Sequence, residues 1–323
     1  MGPFIDAEHH AEHRTLNLLH SSLMIGGIGL LMLISSYLIA SWPGVFVAAL
    51  SVAVLAFFGP RVTPDAVMRL YRARPLDQRH GGQLLRIVEV LSDRAELPAT
   101  PRLFVVPSAT LNAFASGTPD RAVIAVTEGL LRRLSLREVA GVIAHEMSHI
   151  RNRDLFVMGL ADAMTRFTQM LAYVAFFLAI LNVPAWLLGV PMFPWVAVLL
   201  LYLAPAMSSL LQLALSRTRE FDADLEAAGL TGDPVGLASA LGSLERLQGR
   251  FWEDLMLPPT RRVPFPSLLR SHPETDDRIA RLSGLARHAR AQPMVYPDEP
   301  LFTLVGLGPG EMTPRKRWPG LWY

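Results

Sequence analysis

The sequence predicts an α-helical multi-pass membrane protein that also carries a soluble α+β domain, and three observations lead there. No Asp, Glu, Lys or Arg occurs between Arg14 and Arg61, nor between Arg166 and Arg217. Each charge-free window exceeds twice the ~20 residues that a bilayer-spanning helix needs. Between the windows, helical periodicity gives way to short β-rich runs and then returns. Within that stretch, Val139–Ile150 sets two histidines four residues apart, hence on one face of an amphipathic helix. With 323 residues and 51% hydrophobic content, the chain can hold one or two domains with a sizeable core.

Residues 1–14 are polar and carry His9, His10 and His13. The first window breaks at Ser41-Trp42-Pro43-Gly44, which predicts two spans over 21–41 and 44–59. Its late start and the second run that follows favour an uncleaved anchor over a signal peptide. Thr63-Pro64-Asp65 reads as an N-cap with proline at the first helical position. A helix over 81–96 places Leu84, Ile87, Val88 and Leu91 on one face. Arg102–Val106, Leu111–Ala115 and Ala122–Val126 read as strands, separated by Pro107-Ser108 and by Gly117-Thr118-Pro119-Asp120. Thr127 caps a short helix, Glu128–Leu134. Ser135-Leu136-Arg137-Glu138 is a capping box that opens the next helix, with Leu136, Val139, Ala140 and Ile143 in period. The second window breaks between Val183 and Pro194, predicting spans over 167–190 and 194–215. Helical segments follow over 216–230, 233–249 and 274–288, then a proline- and glycine-rich tail. The expected organisation is an N-terminal segment and membrane hairpin (1–60), a domain over 61–290 interrupted by a second hairpin at 167–215, and a tail over 291–323.

Charge placement predicts orientation. Arg14, Arg61, Arg69, Arg72, Arg74, Arg151, Arg153, Arg166, Arg217 and Arg219 flank the outer ends of both hairpins, whereas the turns inside them carry none. By the positive-inside rule both termini and the two-histidine helix are cytoplasmic. The absence of cysteine excludes disulfides and thiolate ligands. The net charge of +2 is explained by the membrane-flanking arginines, and nothing calls for a nucleic-acid partner.

Ala144-His145-Glu146-Met147-Ser148-His149 is an HExxH motif. Histidines at i and i+4 can reach one zinc ion together at about 2.0–2.1 Å. Glu146 sits one position round, where a general base for an activated water belongs. The three fixed letters also arise by chance, and two ordinary core or solvated histidines would satisfy them. A catalytic zinc needs a third protein ligand, and the best candidates lie in Ser216-Arg217-Thr218-Arg219-Glu220-Phe221-Asp222-Ala223-Asp224. Glu220 and Asp224 are one turn apart. Glu220 is assigned to the metal, and Asp224 is assigned to accept a hydrogen bond from a ligating histidine. An ordinary charged helix end beside a membrane would present the same letters.

Four segments then occur in order: Asn112-Ala113-Phe114-Ala115; the HExxH stretch with Arg153-Asp154; Ser216–Asp224; and His272-Pro273 with Arg278-Ile279. Together they closely resemble the HtpX-like membrane zinc metallopeptidases, relatives of the CaaX prenyl proteases, over about residues 15–285. The resemblance implies an α+β zincin-type (gluzincin-like) protease domain with one Zn²⁺ per chain, held by His145, His149 and Glu220, and with Glu146 as base. It implies an endopeptidase of the bacterial inner membrane, facing the cytoplasm, whose polypeptide substrates include misfolded membrane proteins. The His-Pro segment nominates His272 as the donor that stabilises the oxyanion, supported by Arg278. Asn112, Ala113 and Phe114, on an expected edge strand, are candidates for holding substrate backbone.

Other classes stay in view. A processing protease of the CaaX type would carry the same motifs. A non-catalytic membrane scaffold would not need His145, Glu146, His149 and Glu220 intact. His9-His10-x-x-His13 is similar to one box of a membrane di-iron oxygenase, but such sites need several histidine pairs, and only His145 and His149 form another. Arg315-Lys316-Arg317-Trp318 with Trp322 and Tyr323 suits a membrane interface or an unstructured tail. Substrate sequence, regulation and oligomeric state leave no trace in the sequence.

Overall fold

The computed structural model describes residues 7–58, 63–190, 194–256 and 275–286, together with Met294 and the strand residues 316–317 and 321–322. The chain divides into two compact units. One holds the first ten residues, Val62–Leu155 and Arg219–Tyr323; the other holds Ala11–Arg61 and Phe156–Thr218.

The second of these is helical. Helix α1 (Ala7–Phe58) leaves helical geometry at Ala40 and at Ser41, where φ is 52°. There it reverses. Gly44 lies so close to the Ser36 carbonyl that no Cβ would fit between them, and Tyr37 meets Trp42 edge-on at 5.7 Å. Ala48 consequently shares one buried cluster with Ile28 and Met32, which a straight helix rising ~1.5 Å per residue would hold about 30 Å away. Helices α6 (Asp154–Leu187) and α7 (Trp195–Thr231) provide Ala161, Met164 and Leu215 to the same cluster. Among the described residues, Ser21–Val54, α6 and α7 are the three helices long and apolar enough to cross a bilayer. Four spans were expected, and the difference is the first hairpin, whose two arms run on as one broken helix. Only 11% of the most apolar stretch of α6 is buried, and Leu187, Leu188 and Tyr202 stand largely exposed. In water such a surface would aggregate; in lipid it is an ordinary outer face. Helix α6 also begins well before residue 167, carrying the Asp162–Arg166 pair on its first turns.

The other unit is built on a four-stranded sheet of β1 (Arg74–Pro75), β2 (Arg102–Val106), β3 (Ala113–Ser116) and β4 (Val123–Thr127), in the order β1-β2-β4-β3. β2 and β4 are parallel, and the outer pairs are antiparallel. Alternation along β2 sends Leu103 and Val105 to one face and Phe104 and Val106 to the other. The first face packs on α3 (Gln78–Arg94), α4 (Glu128–Arg133), α5 (Leu136–Arg151), α8 (Pro234–Met256) and α9 (Thr275–Ala286), through Leu84, Leu91, Leu130, Ile143, Met147, Leu237 and Leu282. The second face is covered by α2 (Pro64–Leu70), whose Met68 is buried there. β5 (Lys316–Arg317) and β6 (Leu321–Trp322) form a separate antiparallel pair.

Helix α5 has the capping box read from its sequence, with Ser135 Oγ accepting from the Glu138 N–H and Glu138 accepting from the Ser135 N–H. Thr127 likewise caps α4. Thr63 does not cap α2: its backbone is extended before Pro64, but its side chain makes no capping bond. Expected strand 111–115 is displaced to β3, because Leu111 and Asn112 belong to the turn that Thr127 ties down.

Asp233 holds α8 and α5 together. Its carboxylate accepts the Gly236 N–H at 3.0 Å and the Arg137 guanidinium. Burial opposes its charge, yet Arg137 and the backbone N–H groups outweigh that and lower its pKa. A carboxyl with a lowered folded-state pKa contributes stability above its unfolded pKa of ~3.9 and loses it as pH falls through the folded value. Thermal unfolding in detergent should therefore show Asp233→Ala destabilised near neutrality by about 1 kcal/mol, as for a lost N-cap. It should also show the gap to wild type narrowing below pH 4. A gap that is constant across that range would remove the electrostatic part of this account.

Candidate metal centre

Helix α5 is buried along Val139, Ala140, Ile143, Ala144 and Met147, so its remaining face, with His145 and His149, is fixed by the core behind it. The two rings meet at 90°, with centroids 4.8 Å apart and Nε2 atoms 3.2 Å apart. Glu220 on α7 faces them, its Oε2 3.4 Å from His145 Nε2 and its Oε1 4.0 Å from His149 Nε2. One ligand atom from each residue falls within 4.8 Å of the others. Tetrahedral zinc at ~2.0–2.1 Å from its ligands spaces them about 3.3–3.4 Å apart. The donor set fits such an ion.

The far side of each ring is also occupied. His149 Nδ1 lies 2.8 Å from Asp154 Oδ2, and His145 Nδ1 lies 3.1 Å from Asp224 Oδ1, close but out of line for a well-formed hydrogen bond. Carboxylates at both Nδ1 positions put the protons there and leave both Nε2 lone pairs facing inward. Each carboxylate is itself held by an arginine. Arg278 on α9 grips Asp224 with two bonds of 2.6 Å, and its Nη1 reaches Glu220 at 3.1 Å. Arg219 Nη1 donates to Asp154 at 2.9 Å. Burial works against a charge on His145, but Asp224 and Glu220 outweigh it and raise the pKa to about 10. The pocket thus favours positive charge where the two rings meet.

Glu146 is half-buried. Burial pushes its pKa up, the two histidines pull it back, Glu220 pushes it up again, and the Ala115 backbone N–H stabilises its charged form. The net direction is upward, toward a stronger base. The Ala115 N–H that favours this charge lies on the outer edge of the sheet. Because the Thr127 N–H donates to the Asn112 carbonyl, alternation turns the backbone groups of Phe114 and Ser116 toward β4 and those of Ala113 and Ala115 outward. Among the described residues no strand pairs with that outer edge.

The structure therefore brings together His145, His149, Glu220, Asp224, Arg278 and Glu146, and packs β3, which begins at Ala113, against α5, while Asn112 is bonded to Thr127. It does not bring the Phe114 side chain there, since its ring stacks on Tyr71 at 4.8 Å in the opposite-face cluster. His272 lies outside the described residues, so Arg278 is seen with Asp224 and Glu220 as partners. Asp154 and Arg219 were not read as site residues from the sequence. Their signal was a carboxylate five residues past the second histidine and an arginine beside the third candidate ligand.

Residues 78–286 match the model of peptidase family M48. A protease HtpX homolog from Acaryochloris marina is 36% identical over 295 residues, covering 87% of this chain and 98% of that one. One from Burkholderia ambifaria is 32% identical over 286 residues, covering 85% and 99%. The crystal structure of S. mikatae Ste24p aligns over 87% of this chain and 67% of that one, at 21% identity and a TM-score of 0.47. With a family match over most of its length and relatives alike from end to end, this membrane chain belongs to peptidase family M48.

Proposed function

We propose that this metalloprotease is a zinc-dependent endopeptidase of the bacterial inner membrane that hydrolyses misfolded or membrane proteins at the cytoplasmic face. His145, His149 and Glu220 would hold one zinc per chain. The observation that carries the reading is the convergence of both Nε2 atoms on Glu220 while both Nδ1 atoms face carboxylates. When bound there, zinc supplies a Lewis acid that acidifies a water and polarises a peptide carbonyl. Glu146 takes the proton of the attacking water and passes it to the departing amine. The outward backbone of Ala113 and Ala115 receives substrate as an added strand, and Asn112 fixes the start of that edge through Thr127. His272, just ahead of α9 in the chain, is retained as donor to the oxyanion. Arg278 acts through Asp224 and Glu220. The helix-end arginines support a cytoplasmic site.

Metal analysis of the purified chain should give one zinc per wild-type molecule and a strong loss in His149→Ala and Glu220→Ala. Full occupancy in Glu220→Ala would shift the third ligand, with Asp224 next in line. The Glu146→Gln protein should keep its zinc and lose proteolysis by at least the ~10²–10⁴-fold typical of a removed general base. Near-normal turnover in that variant, free of contaminating protease, would point to a scaffold or another mechanism. Mapping products from unfolded membrane and soluble proteins separates broad clearance, with many cuts, from processing of one precursor. For orientation, single cysteines in this cysteine-free background can be probed with an impermeant thiol reagent in intact cells. A cysteine in the 183–193 turn or at Trp42 should label, and one at Asn112 should not; the reverse pattern would invert the topology.

A further inference from the structure

The two histidines are supported alike, His145 by Asp224 and Arg278, His149 by Asp154 and Arg219. The second set is the less expected, because five residues along a continuous helix turn a side chain about 140° away from its starting face. Asp154 reaches His149 because the chain breaks. Asn152 ends α5, Arg153 takes a left-handed conformation with φ 55°, and α6 starts at Asp154. A non-glycine residue in that region is strained, and strain of this kind persists where the surroundings demand a particular geometry. Asp154 and Arg219 are both buried, and Arg219 Nε finds no acceptor among the described residues. A buried ion pair with a donor left over is a poor device for stability. The arrangement suits a different task.

We propose that Asp154 and Arg219 are positioning residues for His149. Asp154 holds the Nδ1 proton and the ring plane, and Arg219 holds Asp154. The pair stands on the first residue of α6 and on the last turns of α7, the two helices that run on into the apolar spans. Metal affinity is thereby made to depend on the register between the chain entering the second membrane hairpin and the chain leaving it. This rests on the reading of the centre as a zinc site.

Zinc affinity of the full-length protein in detergent, measured by competition with a chromophoric chelator, tests it. Asp154→Ala should bind zinc about 10–100-fold more weakly, the range typical of removing a carboxylate behind a ligating histidine. Asp154→Asn should lose less, since its amide oxygen still accepts the Nδ1 proton. Arg219→Gln should weaken binding and Arg219→Lys should recover part of the loss. In the Asp154→Ala background Arg219→Gln should add little, because it acts through the missing carboxylate. Arg153→Gly, which relieves the strain and keeps both partners, should bind as wild type. Apo melting temperatures separate these changes from unfolding. If Asp154→Ala does not fold, Asp154→Asn and Arg219→Gln decide. Wild-type affinity in the Asp154 and Arg219 variants, or full additivity of the two, overturns the proposal. Absence of zinc binding by the wild type, or unchanged binding in His149→Ala, would instead sink the site reading and take the proposal with it.

Discussion

Two imidazole Nε2 atoms 3.2 Å apart need a positive charge between them, either a proton carried by one ring or an ion bound to both. Everything around this centre works to keep them there. The core residues of α5 deny the rings another direction, and Asp224 and Asp154 keep the protons on the outer nitrogens. Glu220 adds an inward-facing oxygen to the two nitrogens. Arg278 and Arg219 compensate a surplus of carboxylates that a dry pocket would otherwise expel. Such an arrangement is suited to hold a positive charge, a proton on one ring or a metal ion between the two.

The same constraint explains the division of labour in the fold. The proposed ligands come from α5 and α7, but their supports come from the start of α6 and from α9, so no single element can shift without disturbing the proposed site. The sheet contributes differently. It positions none of the proposed ligands, yet its outer strand packs against α5, and the Ala115 N–H on that strand favours the charged form of Glu146.

What could be read from the letters was what repeats locally. The capping box at Ser135–Glu138, the one-turn spacing of His145 with His149, and that of Glu220 with Asp224 are properties of a helix and survived folding unchanged. The membrane hairpins were legible as charge-free windows with a break in each. Long-range choices were not legible. Arg278 was read as support for His272 because both belong to one segment of the family pattern; in the fold the described partners of its guanidinium are Asp224 and Glu220, more than fifty residues earlier. Phe114 was grouped with its neighbours, but strand parity sends its ring to the opposite face. Asp154 was quoted with the motif but given no role, because its aim depends on a left-handed Arg153 and arginine advertises no such conformation.

The outer edge of β3 has a consequence for what can be cut. It offers the main-chain groups of Ala113 and the carbonyl of Ala115, with the methyl side chains of those two residues. If substrate adds to it as proposed, such an edge would grip the repeating part of a polypeptide and be nearly blind to its letters. A helix or a completed sheet has already committed those groups to itself. Eligibility at this edge is therefore a matter of conformation: a segment becomes a partner by coming undone, and ceases to be one by refolding.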